Sequence, residues 1–139
     1  MSPYIIEADG GSRGNPGEAA GGAVIINRDS GEILVEIGVY IGHATNNVAE
    51  YHGMIAALEH LATIDSNGAV HVRMDSKLVV EQMSGRWKIK HPDMQVLAAR
   101  ARSVIGTRAT TFEWIPREQN SRADAAANKS MDLRESFVA

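Results

Sequence analysis

Two apolar, β-rich runs, Gly22–Asn27 (GAVIIN) and Glu32–Tyr40 (EILVEIGVY), are separated only by the turn-forming stretch Arg28–Gly31 (RDSG). A link that short cannot carry a crossover helix, so the runs pair antiparallel as a hairpin. One face of such a sheet has to be buried under another element. A covering helix follows in the chain: from Asn46 or Asn47, the residues Val48, Tyr51, Met54, Ile55, Leu58, Leu61 and Ala62 recur at helical spacing.

The remaining segments extend this plan. Tyr4–Ala8 (YIIEA) reads as a strand that stops at Asp9 and a glycine-rich loop, Gly10–Gly17 (GGSRGNPG). Ala69–Met74 (AVHVRM) alternates as a strand does and stops at Asp75. Ser76–Met83 is a short helix with Ser76 as its cap, and Asp93–Ile105 carries a second helical pattern. Thr110–Ile115 is a last strand closed by Pro116, and a final helix runs from Asn120 through Ala123–Lys129 towards the C-terminus. The order β-β-β-α-β-α-α-β-α describes an α/β fold with a mixed sheet, a single domain over residues 1–139.

Composition narrows the function classes. Hydrophobic residues make up 44% and charged residues 22%, an ordinary globular balance. There is no cysteine, which excludes disulfides and thiolate metal sites and favours a cytoplasmic setting. No apolar run approaches the roughly 20 residues of a membrane span, and nothing in the sequence demands an oligomer, so a monomer is expected. The net charge of −3 does not single out a nucleic-acid binder, but distribution matters more than the sum. The stretch Gln82–Pro92 (QMSGRWKIKHP) holds Arg86, Lys88 and Lys90 without a carboxylate.

The acids fall where a sheet protein presents chemistry. Asp9 and Asp75 follow strands near their carboxyl ends, where open α/β sheets place their sites. Glu50 and Asp124 are expected in the first turns of their helices, where exposed amides favour negative charge. Taken singly, each is more often a cap or solvated surface than a ligand. Gathered together they would repel, and a cation would resolve the conflict. Oxygen ligands without cysteine or paired histidines suit magnesium or manganese rather than zinc. Two such ions about 4 Å apart can promote hydrolysis of a phosphodiester. Gly10–Gly17 offers backbone amides to phosphate or sugar but lacks the Gly-Lys-Ser/Thr ending of a triphosphate loop. Thr45-Asn46-Asn47 supplies amide and hydroxyl groups beside Glu50, although one of them is expected to be a helix cap.

Together these segments resemble the ribonuclease H type 1 family over nearly the whole chain. Asp9 with GGSRGNPG is similar to the first catalytic aspartate and its loop, and Thr45–Glu50 to the TNN-x-x-E block. Met74-Asp75-Ser76 matches the D-S segment, and Trp114–Asn120 with Ala123-Asp124 the closing W-[VI]-P-R-E-x-N…A-D motif of compact prokaryotic members.

The resemblance implies a five-stranded sheet, strands one to three antiparallel and strands four and five parallel to the first. It implies Asp9, Glu50, Asp75 and Asp124 as ligands of two magnesium ions, with manganese as a possible substitute. The activity implied is in-line hydrolysis of the RNA strand of an RNA–DNA hybrid, leaving 5′-phosphate and 3′-hydroxyl ends; double-stranded RNA is a further possible substrate. Asn15, Asn46, Asn47 and the amides around Gly11 and Ser12 would touch the hybrid and read the RNA 2′-hydroxyls. Thr45 with Asn15 would hold a DNA phosphate. Trp87, among Arg86, Lys88 and Lys90, would lie along the DNA strand, core packing being its competing role.

The chain departs from the family pattern in three places. Gln82–Pro92 is too short for the basic protrusion of larger members, and Lys77 stands where relatives carry glutamine. No histidine follows His91, so Arg117 or Glu118 is the expected substitute for the mobile histidine before the last aspartate. Two other readings compete: a resolvase- or integrase-like nuclease on the same fold, and a hybrid-binding module without activity.

Overall fold

The computed structural model describes residues 2–139. Three long strands, β1 (Tyr4–Arg13), β2 (Gly17–Asn27) and β3 (Ile33–Ala44), form an antiparallel meander. Helix α1 (Asn46–Ile64) crosses one face, and β4 (Val70–Met74) returns parallel to β1. After α2 (Lys77–Met83) and α3 (Pro92–Ile105), β5 (Thr110–Trp114) adds parallel to β4. A single 3-10 turn (Arg117–Gln119) leads into α4 (Ser121–Leu133) on the opposite face, and β6 (Phe137–Val138) closes the chain. The sheet order is β5-β4-β1-β2-β3-β6.

The expected mixed sheet is present with six strands rather than five. The added strand is β6, antiparallel to β3. The final helix does not run on: Arg134 turns left-handed at φ 52° and ends it, and Glu36 and Ala139 then exchange backbone hydrogen bonds of 2.9 and 2.8 Å. A two-residue strand has no sequence period; it pairs with the open β3 edge, and Lys129 of α4 lies over the Phe137 ring.

β1 and β2 are also longer than expected. Gly10–Arg13 pair with Glu18–Gly21 in continuous register, so only Gly14–Pro16 remain as turn. Glycines carry no alternating side-chain signal, which hid this pairing from the sequence. They are needed here because helix and strand backbones touch. A Cβ on Gly10 would collide with the α1 backbone at Ala49 and Glu50, and one on Gly22 with α4 at Ala123 and Ala127.

The two faces of the sheet are packed differently. Under α1 lie Ile6, Ile25, Tyr51, Met54, Ile55, Leu58, Leu61, Val70 and Val72, all at most 2% exposed. Ala62, placed on the same stripe by spacing, is exposed instead. Under α4 the contact is thin, made by Ala20, Ala127 and Met131. The thin side brings the α4 backbone close to β1 and β2, which keeps Asp124 near Asp9.

Candidate metal centre and nucleic-acid cleft

The site follows from strand register. Ala8 pairs with Met74 across the parallel β1–β4 ladder, so the next residues, Asp9 and Asp75, emerge side by side. β4 ends there while β1 runs on, which puts Asp9 in mid-strand rather than at a strand end. The Gly10 contact then lays α1 over β1 and delivers Glu50. One carboxylate oxygen from each of Asp9, Glu50 and Asp75 lies within 4.8 Å of the others. Asp124, in the first turn of α4 as expected, faces the same cleft from the other side but is not part of that close trio.

Glu50 is not in the first turn of its helix. Thr45 is the cap, its Oγ1 accepting from Val48 N–H at 3.3 Å, and α1 begins at Asn46. The helix-terminus field therefore helps Glu50 less than expected. Burial and then the Asp75 charge push its carboxyl up to about 7, against an opposing Ser76 hydroxyl. Burial, followed by the Asp75 charge, pushes Asp9 to about 8, opposed by the Gly10 amide. Two carboxyls held this far above their ordinary range form a site that favours protons or a cation. The donor set is all oxygen, partly desolvated and close-spaced, and it fits a hard divalent ion.

From sequence Asn120 is only the start of the last helix and part of the closing motif, and neither reveals its role at the site. Its side chain does not cap α4. Instead Nδ2 donates to Ala8 O and to Asp75 Oδ1, both at 2.9 Å, so one buried amide ties the β1 backbone to a site carboxylate. Both partners are acceptors, which fixes the amide orientation. Its Oδ1 is buried without a partner among the described residues. An uncapped asparagine at a helix start is a signal, but it becomes visible only with coordinates.

A second contact steadies α4. The buried Glu7 accepts from Arg122 Nε and Nη2, both at 3.0 Å, linking the strand of Asp9 to the helix of Asp124. Asn128 Nδ2 donates to Asp124 O at 3.0 Å.

The other predicted residues divide into groups. Gly11, Ser12, Asn46, Asn47 and Arg117 line the carboxylate cleft, a cavity of about 440 Å³. The Ser12 amide is already donated to Asn46 Oδ1 at 2.7 Å, so it is no free anion donor. Asn15, Thr45 and Asn47 line an adjoining cavity of about 200 Å³. Trp87 is 45% exposed, not core, and flanks a groove with Arg86, Lys88 and Lys90. The Arg86 guanidinium is held by Glu81 at 2.7 and 2.8 Å, which leaves the two lysines as the uncommitted cations there. Lys77 is exposed at the first position of α2, and Glu118 is exposed in the 3-10 turn; neither lines the cleft. Among the described residues no helix is long and apolar enough to cross a membrane.

Comparison with known proteins agrees with this geometry. Residues 7–130 match the reverse transcriptase-like family. The chain is 53% identical over 129 residues to the bifunctional protein Rv2228c of Mycobacterium tuberculosis, covering 92% of this chain but only 35% of that protein. It superimposes with TM-score 0.89 and 43% identity on LC11-RNase H1 in complex with RNA/DNA hybrid, covering 94% of this chain and 98% of that one. RNase H1 from the halophilic archaeon Halobacterium salinarum gives TM-score 0.88 and 42% identity, over 94% of this chain and 98% of that chain. With the family motifs in register and the fold matched over nearly its whole length, this chain belongs to the ribonuclease H type 1 family.

Proposed function

We propose that this domain is a metal-dependent endoribonuclease that hydrolyses the RNA strand of RNA–DNA hybrids, giving 5′-phosphate and 3′-hydroxyl ends. The observation that carries this reading is the trio of carboxylate oxygens from Asp9, Glu50 and Asp75 within 4.8 Å, set in an open cleft with Asp124 facing it. The likeness to a chain solved with an RNA/DNA hybrid supports the choice of substrate.

Asp9, Glu50, Asp75 and Asp124 would hold two magnesium ions, with manganese as a substitute. Bound there, the ions supply Lewis acidity and neutralise charge at the phosphodiester. The protein provides positioning and fixed charge. Asn120 holds the Asp75 carboxylate, and the Glu7–Arg122 pair holds α4 against β1. Gly11, Ser12, Asn46 and Asn47 line the path of the RNA strand beside the acids. Asn15 and Thr45 take a phosphate of the DNA strand, and Trp87, Lys88 and Lys90 follow that strand further along. Lys77 reaches the backbone from the start of α2.

Arg117 lines the cleft and Glu118 does not, so Arg117 is the better substitute for the absent loop histidine. Its fixed positive charge suits stabilising negative charge on the attacked phosphate rather than moving a proton. Arg117→Ala is expected to lower turnover more than Glu118→Ala. Single-turnover and steady-state rates unchanged in both variants would remove the pair from the reaction.

The deciding experiment is parallel digestion of RNA–DNA hybrid, double-stranded RNA and double-stranded DNA, with magnesium, with manganese and with chelator. Cleavage of the hybrid's RNA strand only with metal is expected. Cleavage of duplex DNA would point to a resolvase-like nuclease, and binding without cleavage to a non-catalytic hybrid-binding module.

A further inference from the structure

Three of the four site acids have a charged residue two positions earlier in the chain: Glu7 before Asp9, Arg73 before Asp75 and Arg122 before Asp124. On a strand, residues two apart share a face, so Glu7 and Asp9 point to the same side of β1. The β1–β4 ladder pairs Glu7 with Arg73, and the β4–β5 ladder pairs Arg73 with Glu113. These residues form a row across three neighbouring strands, one step before the acids. Arg122 reaches the row from α4.

Glu7 is only 2% exposed, so its charge has to be compensated inside the fold. Two cations do this in different ways. Arg122 donates Nε and Nη2 to the two carboxylate oxygens of Glu7, both at 3.0 Å, a two-pronged grip that fixes direction as well as distance. Arg73 lies between two carboxylates, its Nη1 3.7 Å from Glu7 and its Nε 3.5 Å from Glu113. Apolar packing does little to set the height of α4 here, because that contact is made by Ala20, Ala127 and Met131 alone. Asp9, Glu50 and Asp75 form the close trio, and Asp124 stands outside it on α4.

We propose that Glu7, Arg73 and Arg122 are positioning residues for metal binding: this ion triad locks β1, β4 and α4 together and so fixes the separations among Asp9, Asp75 and Asp124. The inference rests on the reading of these acids as metal ligands and adds the part of the fold that sets their spacing. None of the triad lines the carboxylate cleft. Each member acts through the acid two residues further on.

The test separates spacing from stability. Replacing a buried ion triad by apolar side chains of similar volume often leaves folding intact. The triple variant Glu7→Met, Arg73→Met, Arg122→Met should therefore fold. It should bind magnesium about tenfold more weakly, the lower end of what lost supporting contacts cost a metal site. Affinity is measured by calorimetric titration of the protein with magnesium chloride alone, and by the rise in melting temperature that the metal produces. Arg122→Lys keeps the charge and loses the fork, and should weaken magnesium binding severalfold. Val35→Ala truncates the core on β3, a strand that carries no site acid. It should lower the melting temperature and leave magnesium affinity unchanged.

Wild-type magnesium affinity in the folded triple variant overturns the proposal. If the triple variant does not fold, Arg122→Lys decides, and unchanged affinity there overturns it. An equal loss of affinity in Val35→Ala overturns it too, because it marks general loosening rather than the triad. If the wild type itself takes up no magnesium, the reading of the acids as a metal centre fails, a result distinct from the other three.

Discussion

Two adjoining cavities share Asn47 and have opposite chemistry. The larger one gathers carboxylates, with Asp9 and Glu50 pushed to about 8 and about 7 mainly by burial. The smaller one contains no carboxylate, and Asn15, Thr45 and His91 in its wall each accept a hydrogen bond from a backbone amide. Residue type alone does not produce this contrast, because asparagine and threonine accept as readily as they donate. Burial of acids makes one wall attractive to cations, while the other is neutral and partly committed to backbone amides. A nucleic-acid backbone beside bound divalent ions needs both walls at a fixed spacing.

The contrast can be broken most severely on the acidic side. Asp75→Asn, or Asp9→Asn, removes a charge that a cation needs and should reduce hybrid cleavage at least about a thousandfold with the fold intact. Measured turnover near wild type, with unchanged circular dichroism, would mean that these acids are not the catalytic site.

A smaller effect is expected from Asn120→Ala. It strips donors from Ala8 O and Asp75 Oδ1 and also removes the unpartnered Oδ1. The balance should be a destabilisation of roughly 1–3 kcal/mol, read from chemical unfolding. It should also raise the metal concentration needed for half-maximal activity, because Asp75 becomes free to turn. A loss of stability with an unchanged metal requirement would reduce Asn120 to a packing role.

The smallest expected effect concerns protons. Asp9 and Glu50 rise from ordinary values of 3.8 and 4.5 to about 8 and about 7. Between these limits the folded chain binds more protons than the unfolded one, so without metal these groups make stability fall as pH rises. A bound cation relieves the same repulsion. Magnesium should therefore raise the melting temperature by more near about pH 8 than near about pH 5, where protons already occupy the site. Equal increments at the two pH values would show that the acids do not compete for protons and metal at one place.

Much of this molecule is legible in the sequence. The short Arg28–Gly31 link dictates a hairpin, the stripe from Val48 to Leu61 dictates a covering helix, and the motifs around Asp9, Glu50, Asp75 and Asp124 mark the acids. Each depends on interactions among near neighbours in the chain, and local spacing records those. What spacing does not record is long-range register. The Ala8–Met74 pairing sets Asp9 beside Asp75, and bare glycines let two helices approach the strands closely enough to add Glu50 and Asp124.

The same limit explains the misplacements. Gly10–Arg13 reads as a loop because glycine gives no alternation, and β6 forms by pairing with the distant β3 edge. Asn120 reads in the sequence only as the start of a helix, because its two partners lie 112 and 45 positions away in the chain. The sequence by itself determined the elements, their order and the kinds of chemical group available. Only the tertiary structure decided which acids meet and which hydrogen-bonding atoms remain free, because both depend on contacts between segments far apart in the chain.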